Sequence, residues 1–324
     1  MPPSGPSTDT GRPASRSATD GQPITPIAPR SPRLIALACL LGAIVLWGTS
    51  FAATKAAYES FTPMTVVWLR MAAATIAFAP FWRRLPRPAY RRGDWKLLAL
   101  TGLFVPCLYY LLEGYALSLT TSSQAGVITA VVPLLVAAGA WLFLRERIGI
   151  RPAIAIAISL GAVAVLSLGG EPAALAAPNP ALGNTLELLA MVCSAGWMLT
   201  VRHLGNRYNP WLITGAQAAV GAVFFLPGAL ASGPAEWATA SPLAWASVAY
   251  LGLFVSIGAF GLYNTALTML PASRASLAVN LIPAVAVVTG WIALGESLTP
   301  VQLGACAAIL GAVAFGESGR NLLT

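Results

Sequence analysis

The chain has 324 residues, of which 57% are hydrophobic and only 9% are charged, with a formal net charge of +8. A water-soluble domain carries about 25% charged residues because its surface faces water, so this composition excludes a soluble globular protein. The basic residues lie in short clusters between apolar stretches, which is typical of membrane proteins and argues against a nucleic-acid-binding face.

Ten apolar stretches follow one another along the chain, each long enough for a helix that crosses a hydrocarbon core of about 30 Å. They span residues 34–54, 63–82, 95–117, 122–144, 151–169, 183–203, 210–230, 243–268, 274–294 and 299–317. Residues 1–33 are rich in Pro, Ser, Thr and Gly, which predicts a disordered tail, and residues 318–324 form a second short tail. The predicted fold class is an all-α membrane protein with ten transmembrane helices.

The basic residues are unevenly distributed between the two predicted sides of the membrane. Of the 19 lysines and arginines, all except Lys55 and Arg70 fall in the tails or in the connections on one side. Because positively charged connections stay in the cytoplasm, both tails are predicted to be cytoplasmic.

The two halves of the chain repeat one pattern. Residues 101–164 align with residues 251–314 without a gap at an offset of 150, and the second helix of each half aligns at an offset of 147. Each half has five predicted helices, so residues 34–169 and 183–317 are predicted to be inverted repeats. This arrangement is typical of secondary transporters, in which one half rocks against the other.

Several short motifs carry a family resemblance. They are Leu-Trp-Gly-Thr-Ser-Phe at 46–51, Trp-Leu-Arg at 68–70, Ala-Ser-Arg-Ala-Ser at 272–276 and Gly-Glu-Ser-Leu-Thr-Pro at 295–300. In the order and spacing of these motifs, the chain resembles the EamA-domain members of the drug/metabolite transporter superfamily over about residues 34–317. The resemblance implies export of small metabolites across a bacterial inner (plasma) membrane through a central cavity between the halves.

Three charged residues lie inside predicted helices, all in the outer half: Arg70 in the second and Glu113 in the third at similar depths, and Glu187 near the outer start of the sixth. A charge at mid-bilayer costs roughly 2.5–3.5 kcal/mol, so each should face a cavity or a partner. The repeat partners of Arg70 and Glu113 are Gln217 and Tyr263, which are also polar. We predict that Arg70 and Glu113 face one another across the cavity and bind or gate substrate. Snorkelling of Arg70 and purely structural pairing of the charges are the alternatives.

Aromatic residues and prolines also occupy matching positions in the two halves. Trp47 and Trp197 are repeat mates near the midplane, where they either stack on a ligand or pack in the core. Pro133 and Pro283 are predicted to kink their helices at mid-length, which either frees a carbonyl for a cavity or only bends the helix. The remaining polar residues of the inner half are predicted to form a neutral patch: Gln217, Tyr263, Asn264 and Asn280.

The leading hypothesis is an exporter of small amphipathic metabolites, with amino acids, aromatic ones included, as the substrates. A multidrug or organic-cation exporter that uses Glu113 and Glu187 as counter-charges is the alternative within the same class. A membrane-embedded enzyme is disfavoured, since the sequence has a single histidine, His203, and no phosphate-binding glycine loop. We therefore expect no metal and no cofactor.

The expected partners are a small-molecule substrate and the lipid bilayer. The tenth helix carries small residues every four positions, at Gly304, Ala308 and Ala312. Such a stripe lets another helix approach closely, so it predicts tight packing within the chain or in a homodimer.

Overall fold

The computed structural model describes residues 30–85, 88–144, 150–168, 177–204, 207–269 and 280–318, and these contain helices but no β-strand. A short helix, Pro234–Thr239, lies in a connection. The helices that build the fold are α1 (Arg30–Tyr58), α2 (Pro63–Phe78, continued by a 3-10 helix at Ala79–Arg84), α3 (Asp94–Gly102 and Tyr109–Leu119, joined by a π-helical turn at Leu103–Leu108), α4 (Ser122–Ile128 and Val132–Leu144, joined by a 3-10 turn at Thr129–Val131), α5 (Ile150–Leu168), α6 (Pro180–Leu204), α7 (Pro210–Ala231), α8 (Pro242–Ala249 and Phe260–Met269, joined by a π-helical stretch at Tyr250–Ala259), α9 (Ile282–Leu294) and α10 (Pro300–Ser318).

Seven of these helices, α1 to α4 and α6 to α8, are long and apolar enough to cross a membrane. The other three contain shorter apolar segments, at Ala153–Leu166, Ile282–Leu294 and Pro300–Phe315. Large apolar side chains such as Val223 and Ile292 are exposed on the outer surface. Because a helix satisfies its own backbone polar groups, such surfaces suit lipid. The predicted class, an all-α membrane fold, is confirmed.

Proline and a polar capping residue mark several helix starts. Pro63, Pro210 and Pro242 occupy the first turn of α2, α7 and α8. Proline suits this position because the first turn of a helix does not need its missing N–H group. The side chain of Asn209 accepts a hydrogen bond from the Trp211 amide at 2.9 Å, and Ser241 does the same for α8. The residue before the proline therefore caps α7 and α8 through its side chain, whereas Thr62 makes no such bond at the start of α2.

Two helix ends differ from the sequence expectation. Helix α1 begins at Arg30, so it includes residues 30–33 of the predicted tail. Pro283 lies in the first turn of α9 and not at mid-helix, because α9 begins at Ile282 after a turn. Pro133 does interrupt α4, since a 3-10 turn immediately precedes its segment. Residues 1–29, 274–279 and 319–324 of the predicted tails and ninth helix lie outside the described residues.

The helices pack in a symmetric pattern. Helices α2 and α7, α4 and α9, and α5 and α10 pack against each other, so in each of these three pairs a helix contacts its own repeat mate. Helix α1 packs against α8 and α9, and its repeat mate α6 packs against α3 and α4. These contacts of α1 and α6 are thus equivalent, as expected for two copies related by a pseudo-twofold axis.

Candidate functional site

A small cavity of about 30 Å³ lies between the two halves, at the junction of α2, α3, α7 and α8. A bound water needs roughly 10–15 Å³ of such space, so this conformation has room for water and not for a metabolite. The lining residues are Met71, Val105, Pro106, Tyr110, Thr214, Gln217, Ala218, Ser256 and Phe260.

Repeat mates face this cavity from both halves. The offset of 150 pairs Pro106 with Ser256 and Tyr110 with Phe260, and all four residues line the cavity. The offset of 147 likewise pairs two lining residues of α2 and α7, Met71 and Ala218. The cavity is therefore centred on the pseudo-twofold axis.

The two helices that bring these residues to the cavity are irregular at equivalent levels. In α3 the backbone leaves the helical region at Val105 (φ −136°, ψ 115°), next to Pro106, which has no N–H group to continue the ladder. The Val105 carbonyl instead accepts a hydrogen bond of 2.5 Å from Nε2 of Gln217. In α8 the π-helical stretch contains Ser256, whose hydroxyl donates to the Leu251 carbonyl at 3.0 Å. Such π-helical turns are frequent at functional sites.

Arg70 is buried beside the cavity, with 6% of its surface exposed. Its Nε donates a hydrogen bond of 2.8 Å to the Ser256 hydroxyl, and its guanidinium carbon lies 4.6 Å from the centre of the Tyr110 ring. Among the described residues neither Nη atom has a hydrogen-bond partner. The buried guanidinium therefore keeps donors for a further acceptor.

Arg70 and Glu113, predicted to face one another across the cavity, do not contact each other directly in this conformation. Glu113 is buried and accepts a hydrogen bond of 2.5 Å from the Tyr109 hydroxyl, and no ion pair joins it to Arg70 within the described residues. The two charges still act on each other at longer range. The reason is that Ser256 and Tyr110 occupy the space next to Arg70.

Glu187 on α6 is fully buried, and neither of its carboxylate oxygens has a hydrogen-bond partner among the residues that the structure describes. Glu187 lies near enough to Glu113 for the two carboxyl groups to interact electrostatically. Seven residues separate Glu187 from the start of α6, and six separate Glu113 from the end of α3. At 1.5 Å per residue both lie about 10 Å from their helix ends, as Arg70 does.

The two repeat-related tryptophans are joined through one ring. Phe260 lies with its ring centroid 5.4 Å from that of Trp47 and 6.4 Å from that of Trp197, edge to face in both cases. Tyr263 extends the cluster, 5.2 Å from Trp47. Since Phe260 also lines the cavity, the aromatic cluster forms part of its wall.

The predicted neutral patch is divided between different surroundings. Gln217 bonds to the backbone of α3, whereas Tyr263 packs on Trp47. Asn280 lies in the turn before α9, and the side chain of Asn264 lies outside the described part of the chain. Sequence reasoning missed the cavity residues Tyr110, Ser256 and Phe260, although the repeat offset relates two of them.

Two polar contacts join the halves at opposite ends of the bundle. At the end where α4 begins, the Glu296 carboxylate accepts four hydrogen bonds, from the amides and hydroxyls of Ser122 and Ser123, at 2.6–2.9 Å. These amides belong to the first turn of α4, which favours a negative charge. The carboxylate thus ties the second half to the first.

At the other end the Asp94 carboxylate accepts hydrogen bonds from Arg207 Nη1 and from the Tyr208 hydroxyl, both at 3.0 Å. It also accepts from the Arg91 amide at 3.0 Å. Burial, and then the hydrogen bond to Asp94, raise the pKa of Tyr208 above its ordinary value, so its hydroxyl keeps donating at neutral pH.

The sequence of this chain matches the model of one known protein family. The model of the EamA-like transporter family matches residues 34–168 and again residues 181–315. A protein of known crystal structure superposes with a TM-score of 0.59 at 20% sequence identity, covering 91% of this chain and 99% of that chain. That likeness concerns the fold alone.

Several curated relatives are named as transporters. The uncharacterized transporter YetK of Bacillus subtilis is 26% identical over 230 residues, 70% of this chain and 69% of that protein. The probable terminal-alkyne amino-acid exporter of Streptantibioticus cattleyicolor is 26% identical over 266 residues, 80% and 86% of the two chains. The threonine/homoserine exporter RhtA of Escherichia coli is 37% identical over 135 residues, 40% of this chain and 43% of that protein. With two matches that together cover most of its length, the chain belongs to the EamA-like transporter family.

Proposed function

We propose that this protein exports small amphipathic metabolites, with amino acids, aromatic ones included, as the substrates, across the bacterial inner membrane. Transport would proceed by alternating access, with two inverted five-helix halves rocking about the cavity on the pseudo-twofold axis. The observation that carries the proposal is the pairing of a buried guanidinium with open donors and an aromatic wall around one cavity. Two relatives named as amino-acid exporters support this substrate class.

The chemistry of the cavity fits an amino-acid zwitterion. Arg70 offers two Nη donors, which suit a carboxylate because guanidinium and carboxylate form parallel hydrogen bonds. Glu113 supplies a negative charge at similar depth for the ammonium group. Phe260 and Trp47 provide an apolar surface for the side chain, where an aromatic substrate gains edge-to-face contacts.

The test is substrate efflux from liposomes that contain purified protein, with phenylalanine, tryptophan and threonine as substrates. Arg70→Gln removes charge-assisted hydrogen bonds worth about 1.5–3 kcal/mol each, so transport efficiency should fall tenfold or more. The matched control is Arg83→Gln, since Arg83 is exposed at the end of α2. Unchanged efflux by folded Arg70→Gln would refute the role of Arg70.

The buried carboxyl groups favour one competing function, the export of organic cations. A cation would use Glu113 and not Arg70. If cation efflux survives Arg70→Gln and is lost in Glu113→Gln, the multidrug or organic-cation function replaces the amino-acid one.

Topology is proposed as ten transmembrane helices with both tails in the cytoplasm, on the charge distribution of the sequence. A reporter fused after Arg320 should be active in the cytoplasm, and one inserted within residues 171–180 should be active in the periplasm. A periplasmic C-terminal reporter would contradict both the helix number and the inverted repeat.

A further inference from the structure

Glu187 has an unusual environment for a carboxylate. It is fully buried on α6, and in the described part of the chain both of its oxygens lack a hydrogen-bond partner. Removing an ionised carboxylate from water costs several kcal/mol unless it is paired. A group in this position is therefore stable only when it holds a proton or when a cation lies against it.

Glu113 on α3 is the neighbouring acid, and its charge acts on Glu187. Two carboxylates at short range do not both ionise readily, because each disfavours the charge of the other. The Tyr109 hydroxyl donates to Glu113, and the positive charge of Arg70 acts on it, so Glu113 is the better place for the negative charge. The proton of the pair then belongs on Glu187.

Within the described parts of the chain, the helices packed against α6 bring no cation close to Glu187, since Lys96 of α3 lies in the first turn of that helix, 17 residues before Glu113. These helices are α3, α4 and α5. Helix α4 contains no ionisable residue, and the single one of α5, Arg151, lies at the opposite end of the bundle. From α1, Tyr58 lies within electrostatic range and donates its hydroxyl to the Gly114 carbonyl, whereas Lys55 interacts with Glu296.

We propose that Glu187 and Glu113 together hold one exchangeable proton and that this proton is exchanged for the ammonium group of the substrate. The inference rests on the proposed amino-acid export. When a zwitterionic substrate binds from inside, its ammonium takes the place beside Glu113 and Glu187 releases its proton to water on that side. When the cavity opens outward, water on the outer side returns a proton to Glu187 and the ammonium leaves. One proton enters for each substrate exported, so the cycle carries one positive charge inward.

Proteoliposomes loaded with phenylalanine test the coupling. An inward proton gradient of about one pH unit should sustain a roughly tenfold substrate gradient at one proton per substrate. A pH dye should report proton entry that depends on substrate. The Glu187→Gln side chain has the shape of the protonated glutamate. In this variant substrate efflux should not depend on the proton gradient, and the dye should report no proton entry. Exchange of substrate down its own concentration gradient should persist. Glu59→Gln is the matched control, since Glu59 is exposed in a connection.

A second measurement needs no substrate. Infrared difference spectra of purified protein between acidic and alkaline buffer should contain the C=O band of a protonated carboxyl group that Glu187→Gln removes. Should Glu187→Gln fail to assemble, Glu187→Asp keeps an ionisable group and should retain coupling with a shifted band. An unchanged band in both variants, or wild-type efflux indifferent to the gradient, overturns the proposal. If no amino acid is transported and the band is present, the proposed function fails and the proton site stands.

Discussion

Pro106 and Ser256 line one cavity from opposite halves of the chain, and the internal repeat makes them equivalent positions. The backbone is irregular at both, but the chemistry differs: Pro106 has no donor, whereas Ser256 accepts the hydrogen bond of Arg70. Arg70 itself has Gln217 as its repeat mate. The scaffold is thus symmetric, as rocking between two states requires, while its polar groups are asymmetric, as recognition of a zwitterion requires.

Phe260 should control which side chains the cavity accepts. Phe260→Leu removes edge-to-face contacts with Trp47 and Trp197, each worth about 0.5–1.5 kcal/mol. Efflux of phenylalanine and tryptophan should therefore fall several-fold relative to that of threonine in liposome assays. Phe254→Leu is the control on the same helix, because Phe254 is 59% exposed. Equal losses for aromatic and aliphatic substrates would contradict a role in selectivity.

Much of the fold could be predicted from sequence because bilayers impose simple requirements. Apolar length and proline dipeptides predicted most helix starts, such as Pro63 and Pro242. The depth of Arg70 and Glu113 followed from counting residues. Their hydrogen-bond partners could not be predicted. Arg70 bonds to Ser256 and not to Glu113 because the π-helical stretch of α8 brings Ser256 next to it, and such a stretch has no periodic signature in the sequence.

The role of Glu296 also escaped sequence reasoning. It falls in a family motif, but its partners Ser122 and Ser123 lie 173 residues or more away, and only the packing of α9 on α4 brings them together. In the same way the apolar pattern places Pro283 at mid-helix, whereas a turn at residues 280–281 precedes α9 and Pro283 lies in its first turn.

Glu296 should stabilise the closed arrangement at its end of the bundle. Glu296→Gln removes the charge that meets four donors at the start of α4, and hydrogen bonds to a charged group contribute about 1.5–3 kcal/mol each. The melting temperature in detergent should drop measurably below that of Glu59→Gln. Equal melting temperatures for the two variants would show that the contact contributes nothing to stability.

Gly290 lies against the contact between Glu296 and the two serines, so it should not tolerate a side chain. A methyl group there would overlap the side chains of Ser122, Ser123 and Glu296, whereas one at Gly311 meets open space. Overpacking costs about 1–3 kcal/mol, so Gly290→Ala should lower the melting temperature and Gly311→Ala should not. A Gly290→Ala variant as stable as Gly311→Ala would mean that the carboxylate moves aside without cost.

The last prediction concerns Asp94 and Arg207, which join the halves at the opposite end of the bundle. The repeat places a weaker contact in the equivalent connection: there Ser60 and Ser241 meet through their hydroxyls at 3.3 Å, and the Ser241 amide donates to Ser60 at 3.1 Å. The equivalent connection thus lacks the Asp94–Arg207 ion pair, and the halves are held at that end by this neutral contact together with the carboxylates of Glu296 and Glu236. Breaking the charged contact should therefore favour opening at the Asp94 end.

Asp94→Asn and Arg207→Gln should each lower the melting temperature and increase the labelling of a cysteine introduced at Thr101, which is buried in the same helix as Asp94. Because both variants break one contact, the double variant should lose little more than the worse single variant. Added salt should reproduce part of the effect in the wild type, since 23% of the Arg207 side chain is exposed and its charge is open to screening. Arg83→Gln controls for loss of a surface charge. Fully additive losses in the double variant would show that Asp94 and Arg207 act independently, and the Asp94 end would then be held by Tyr208 and the backbone.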